Sequence, residues 1–250
     1  MTFADSAGVP FEGRSFHANE SAGDDGSADP RLIETVLRFR ARELGLAEVV
    51  EALASVRLLV PLLTDRGDEG IGAHGQVVDK TQELALVTLA GPDGRAVLPV
   101  FSSVDAMRAW NPIARPIPAT AARAAVAAAS DGLGAIVLDP GSPTELALRR
   151  TAFESLALGS RFTPCFLDER VLEAFLAATA SESSVRAVQL APGDPDARLA
   201  GPELIVHLTL DAGLAQDELD AVISRLGDAW AASPVILDRV DSIAVRLEAL

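Results

Sequence analysis

Gly134-Ala135-Ile136-Val137-Leu138-Asp139-Pro140-Gly141 reads as a short buried strand that ends in a tight turn. Four consecutive apolar residues, Ala135–Leu138, lie between a Gly and an Asp-Pro-Gly, the pattern of a strand covered on both faces. Pro140 and Gly141 supply the residue types that a type II turn favours. Immediately upstream, Ala119–Ser130 is dense in alanine and predicts a helix that Asp131-Gly132 breaks. Downstream, Ser142-Pro143-Thr144-Glu145 matches a capping box with proline at the first helical position, which predicts a helix reaching about Leu158. A short buried strand between helices indicates an α/β to α+β protein, with a mixed sheet flanked by helices.

Working back toward the N-terminus, Leu84–Leu89 and Ala96–Phe101 are aliphatic arms on either side of Gly91-Pro92-Asp93-Gly94, a β-hairpin pattern. Ser102 or Ser103 then caps a helix to about Trp110, and Asn111-Pro112 ends it. Ile113–Pro118 is a proline-rich extended segment. Val56–Leu63 predicts a mostly buried strand, although Pro61 would cost a central strand one ladder hydrogen bond. Before it come a helix from Pro30, with Leu32, Ile33, Val36, Leu37 and Leu44 on one face and a stop at Gly45, and a second helix from Leu46 to Ser55. Residues 1–29 have the composition of a disordered acidic tail.

The C-terminal portion has its own rhythm. Asp168 to Thr179 predicts a helix, and the polar Ser181–Ser184 marks the boundary between a domain at 30–180 and a smaller α+β domain at 181–250. In the latter, Val185–Leu190, Leu204–Leu210 and Ile243–Leu247 read as strands. Leu219, Val222, Ile223, Leu226 and Trp230 form a helical stripe.

The net charge of −15 repels phosphate backbones, so nucleic acid is not an expected partner. The longest run without a charged residue is nine, far below the roughly 18–20 that span a bilayer, so no membrane role is expected. A lone cysteine, Cys165, excludes an intrachain disulfide and, with no signal-peptide pattern, favours the cytoplasm.

No constellation of catalytic residues stands out. Gly70-Ile71-Gly72-Ala73-His74-Gly75 spells G-x-G-x-x-G, but Thr64–Glu69 separates it from the strand that should precede it, and little room for a helix follows. A flexible loop is the better reading. His17, His74 and His207 are scattered and have no metal-ligand spacing. A Ser–His–Asp set drawn from Ser102 or Ser103, His74 and Asp139 has no geometric warrant, because a cap and a turn already explain these residues. Cys165, between Pro164 and Phe166, reads as a buried, inert thiol. No catalytic residue, metal or cofactor is therefore expected.

Two stretches carry a family resemblance: Leu98-Pro99-Val100-Phe101-Ser102-Ser103-Val104-Asp105-Ala106-Met107-Arg108-Ala109-Trp110, and Gly134–Gly141. With the upstream Leu59-Val60-Pro61, they resemble the SseB-like family's N-terminal domain over residues 46–158. A second likeness, to the family's C-terminal domain, covers 185–250. The family is named for enhanced serine sensitivity, a phenotype, and the resemblance implies no catalytic residues. The expected function is a non-enzymatic cytoplasmic role through an unknown protein partner or a small ligand. Ser102, Ser103 and Asp139 are the candidate ligand-binding residues, since strand ends and helix N-termini often build sites. The alternative is a metabolite sensor or enzyme working near the 64–80 loop and the Pro99–Ser103 corner.

Overall fold

A computed structural model describes residues 24–63 and 87–250. Most of the 1–29 tail and the whole 64–80 loop, with its G-x-G-x-x-G, therefore lie outside the described residues. Residues 24–29 make fixed contacts before Pro30: Asp24 pairs with Arg57, and the Gly26 carbonyl accepts from Val104 N at 2.9 Å.

Helix α1 (Pro30–Arg40) starts where Asp29 accepts from Arg31 N at 2.8 Å. It buries Leu32, Val36 and Phe39. The expected continuation to Leu44 is not made, and Leu37 is exposed. Arg42 turns to φ 64, and the Arg40 and Arg42 side chains reach backbone carbonyls of Pro195 and Asp196 far along the chain. Helix α2 (Leu46–Ala54) follows, with Glu48 accepting back from Gly45 N at 2.9 Å.

Strand β1 (Arg57–Leu62) is followed by β2 (Leu89–Ala90), β3 (Ala96–Val100), α3 (Val104–Trp110) and β4 (Arg115–Thr120). Next come α4 (Ala121–Ser130), β5 (Ala135–Leu138), β6 (Leu146–Arg149) and α5 (Arg150–Leu158). The main sheet runs β2-β3-β5-β6, with β3 and β5 parallel and the outer pairs antiparallel. Strands β1 and β4 form a separate antiparallel ribbon, tied to the end of β3 by reciprocal Leu59–Phe101 backbone bonds of 2.8 Å. Pro61 sits opposite Pro116 in that ribbon, where no further strand among the described residues requires its missing N–H.

The expected helix from the capping box is only half present. Leu146–Arg149 is a strand, and helix begins at Arg150. Ser142 and Thr144 bond each other and Asp139, while Glu145 accepts from Gly141 N at 2.7 Å, so these residues close a β5–β6 turn instead of capping a helix. Strand pairing with β5 then buries all four residues of β6. Period-two alternation sorts them. Leu146 and Leu148 join Leu98, Val100, Ile136 and Leu138 in a core shared with α2, α4 and α5. Ala147 turns to the opposite face with Val97 and Ala135, and there Leu199 from the C-terminal part covers the sheet.

The second core contains α6 (Glu169–Thr179), β7 (Val185–Pro192), β8 (Leu204–Leu210), α7 (Gln216–Ala231), α8 (Pro234–Arg239) and β9 (Ile243–Ala249). The strand order is β7-β8-β9, with β7 antiparallel and β9 parallel to β8. Leu204, Val206, Leu208 and Leu210 are buried beneath Val222, Leu226 and Trp230 of α7, while Ile205, His207 and Thr209 occupy the other, half-buried face. Val171 and Phe175 of α6 belong to this core, so α6 packs with the later strands. Phe175 is fully buried, edge-on to Trp230 at 5.2 Å. Phe175→Ala should therefore cost about 3–5 kcal/mol, read as a lowered midpoint in urea unfolding.

Candidate functional site

Ser102 and Asp139, 37 residues apart, meet where parallel strands β3 and β5 end. Asp139 Oδ1 accepts from Ser102 N at 2.8 Å, and Oδ2 accepts from Ser102 Oγ at 2.7 Å and Thr144 Oγ1 at 2.8 Å. Both residues are almost fully buried, and Asp139 takes φ 45, a left-handed conformation that Asp adopts more readily than most residues. Ser103 beside them is the N-cap of α3, accepting from Ala106 N at 3.0 Å. The three candidate residues thus lie together, but their polar groups bond to one another and to the backbone. That arrangement braces the corner and commits the Asp139 carboxylate and the Ser102 hydroxyl to internal bonds. His207 faces Glu248 at 3.2 Å across the open side of the second sheet.

The densest polar constellation among the described residues lies elsewhere, at the seam between the two cores. Three consecutive residues at the β6–α5 junction each cross it. Arg149, on the face of β6 that Ala147 shares, donates from Nη2 to Asp194 Oδ2 at 2.9 Å and to the Gly201 carbonyl. Its Nη1 lies 3.2 Å from Asp241 Oδ2 and 3.3 Å from Ser242 Oγ. Arg150 donates to the carbonyls of Leu237, Asp238 and Val240 at the C-terminal end of α8, where the helix dipole favours a cation. Thr151 Oγ1 donates to Glu203 Oε1 at 3.0 Å.

Electrostatics at the seam follow from these contacts. Burial alone would raise the Asp241 carboxyl, but Arg95, bidentate at 2.8 and 2.9 Å, and Arg149 hold it below the usual carboxylate range. Glu203 goes the other way. Burial pushes its carboxyl up and the Asp241 charge adds to that, while the Asp241 N–H at 2.6 Å, the Thr151 hydroxyl and Arg149 oppose without prevailing. Among the described residues Glu203 forms no ion pair.

A cavity of about 190 Å³ opens beside this cluster. Phe39 and Leu46 line it from the α1–α2 corner, Ala147 from β6, Phe162 and Cys165 from the connection before α6, and Pro192 from β7. Arg42, Arg149, Asp194 and Glu203 supply its polar edge. Cys165 is buried, and burial together with the nearby Glu203 pushes its thiol well above the usual range. A thiol so placed is no nucleophile at neutral pH. The wall is mainly apolar with a few fixed polar groups, the character of a binding site.

Residues 33–155 match the family model described as SseB protein N-terminal domain. Over those residues the chain is SseB-like. The matched segment runs from within α1 to within α5, so it holds every strand of the first core, the Ser102–Asp139 corner and Arg149. Neither curated proteins nor solved structures gave a match. The seam cavity thus joins the SseB N-terminal domain to a part of the chain that the family model does not cover.

Sequence reasoning missed Arg149, Glu203, Asp194 and Asp241. Read with a period of two, Leu146–Arg149 alone would have put Arg149 on the Ala147 side of a strand; no comparable signal marks the other three. Glu203 carries a pH signature. Its folded-state pKa lies above the unfolded value, so the chain loses stability as pH rises from about 4.5 through the folded value. Over that window the stability of Glu203→Gln should gain steadily on the wild type and then level off, which paired urea titrations at several pH values would measure.

Proposed function

We propose that this SseB-like chain is a non-enzymatic cytoplasmic protein that works by holding a small ligand in the seam cavity. The observation that carries the reading is the cavity's construction: both cores contribute walls, and Arg149, Glu203 and Asp194 are fixed at its edge by hydrogen bonds. A ligand there touches both parts at once, so occupancy stiffens their relative placement, a change that a protein partner can read. The inert state of Cys165 and the internal bonding of Ser102 and Asp139 favour binding over catalysis. The net charge of −15 and the single cysteine support an intracellular role away from nucleic acid. No helix among the described residues is long and apolar enough to cross a membrane. The β7-β8-α7-α8-β9 order of the second core supports reading it as the family's C-terminal domain.

A thermal-shift screen with amino acids, nucleotides and small amines tests the proposal. A true ligand raises the midpoint saturably with concentration. Leu46→Trp, which fills the cavity from the first turn of α2, should abolish that rise. Flat curves for every compound, or equal responses in the variant, would remove the seam cavity as the site.

A further inference from the structure

Resting on the seam cavity as the ligand site, we propose that its ligand is a small primary amine with an apolar body about the size of benzene, its ammonium group held by Glu203.

Size comes first. An apolar protein cavity of about 150 Å³ accommodates benzene, and one water occupies about 30 Å³ of liquid. The seam cavity, at about 190 Å³, therefore takes a ring or branched aliphatic body and leaves room for one head group of roughly water size. Phe39, Leu46, Phe162 and Pro192 suit the body.

Charge decides the head group. Glu203 is the one carboxylate on the cavity wall without a cation among the described residues. Its two oxygens accept one strong hydrogen bond each, from Thr151 Oγ1 and from Asp241 N, with the weakly donating Cys165 thiol beside them. A carboxylate has about four lone-pair sites, so two remain for a donor from the cavity. The other wall charges are already matched. Asp194 accepts from Arg149 and from the amides of Arg198 and Leu199. Arg149 directs both terminal nitrogens at protein acceptors. Arg42 gives its own to the Pro195 carbonyl and Asp196. An anionic ligand would meet Glu203 and Asp194 with both guanidinium ends already engaged. An ammonium would supply the counter-charge and add charge-assisted hydrogen bonds to a part-buried carboxylate.

Calorimetric titration of the full chain at neutral pH with benzylamine, benzyl alcohol and benzoate tests this. Benzylamine should bind at least tenfold more tightly than benzyl alcohol, and benzoate should not bind. In Glu203→Gln the amine preference should vanish while benzyl alcohol binds as before. Should that variant fail to fold, Glu203→Asp serves: its carboxylate is withdrawn by one methylene, so amine affinity falls and alcohol affinity holds. Equal binding of amine and alcohol, tighter benzoate, or an amine preference that survives both substitutions overturns the ligand class while leaving the site intact. Benzylamine binding that persists in Leu46→Trp reflects attraction to an acidic surface and overturns the proposal. If none of the three probes binds and the broader screen is also flat, the ligand class and the cavity site both fall.

Discussion

The buried guanidinium of Arg149 sets how the two cores of this protein meet. A charge removed from water is tolerated only where it is paired and its hydrogen bonds are made, and removing one partner of such a pair typically costs about 3–5 kcal/mol. Arg149 finds its partners in Asp194, in the β7–β8 connection, and in Asp241, just before β9, both at one end of the second sheet. Satisfying both at once restricts how the C-terminal part is placed. Arg95 completes the arrangement by sharing Asp241, and the Ala147 amide reaches the Ala197 carbonyl at 2.7 Å alongside. Such pairs add little net stability compared with apolar contacts, but they discriminate sharply among geometries.

That fixed separation explains why a cavity exists. Phe39, Leu46, Phe162 and Pro192 would collapse onto one another if the seam were held by apolar contact alone, since interiors pack densely wherever they are free to. The polar bonds on either side hold the walls apart. Glu203 is the exception within an otherwise matched set of charges, bridging to Thr151 of the first core without a cation of its own. Its raised pKa follows from a carboxylate placed in a largely buried seam whose arginines are committed elsewhere.

Much of the fold was legible because its signals are local. The Asp139-Pro140-Gly141 turn, the Ser103 cap of α3, the Ala135–Leu138 strand and the apolar stripe of α7 each follow from residues within one or two turns of one another. The mixed α/β character of the chain follows from their order. The reading failed where local signals competed. Ser142-Pro143-Thr144-Glu145 has the composition of a helix start, yet pairing with β5 takes the next four residues into the sheet. Leu37 fits the apolar period of α1, yet the helix presents Phe39 and Val36 to the core instead. The seam was illegible for another reason. Arg40 and Asp196 are 156 residues apart, and Arg149 and Asp241 are 92 apart, so no window of sequence shows them as neighbours. Ser102 and Asp139, singled out separately as a cap and a turn residue, meet across 37 residues, and their bonds brace the strand ends.

Hydrogen exchange on Arg149→Met, which keeps an unbranched apolar stem and removes the charged head, tests most directly whether this one residue fixes the seam. The amides of Ala147, Arg198 and Leu199, which bond to Ala197 and Asp194 at the junction, should exchange much faster than in the wild type. Amides within β5 and β8, deep in the separate cores, should stay protected. Unchanged protection at all three junction amides would contradict the account.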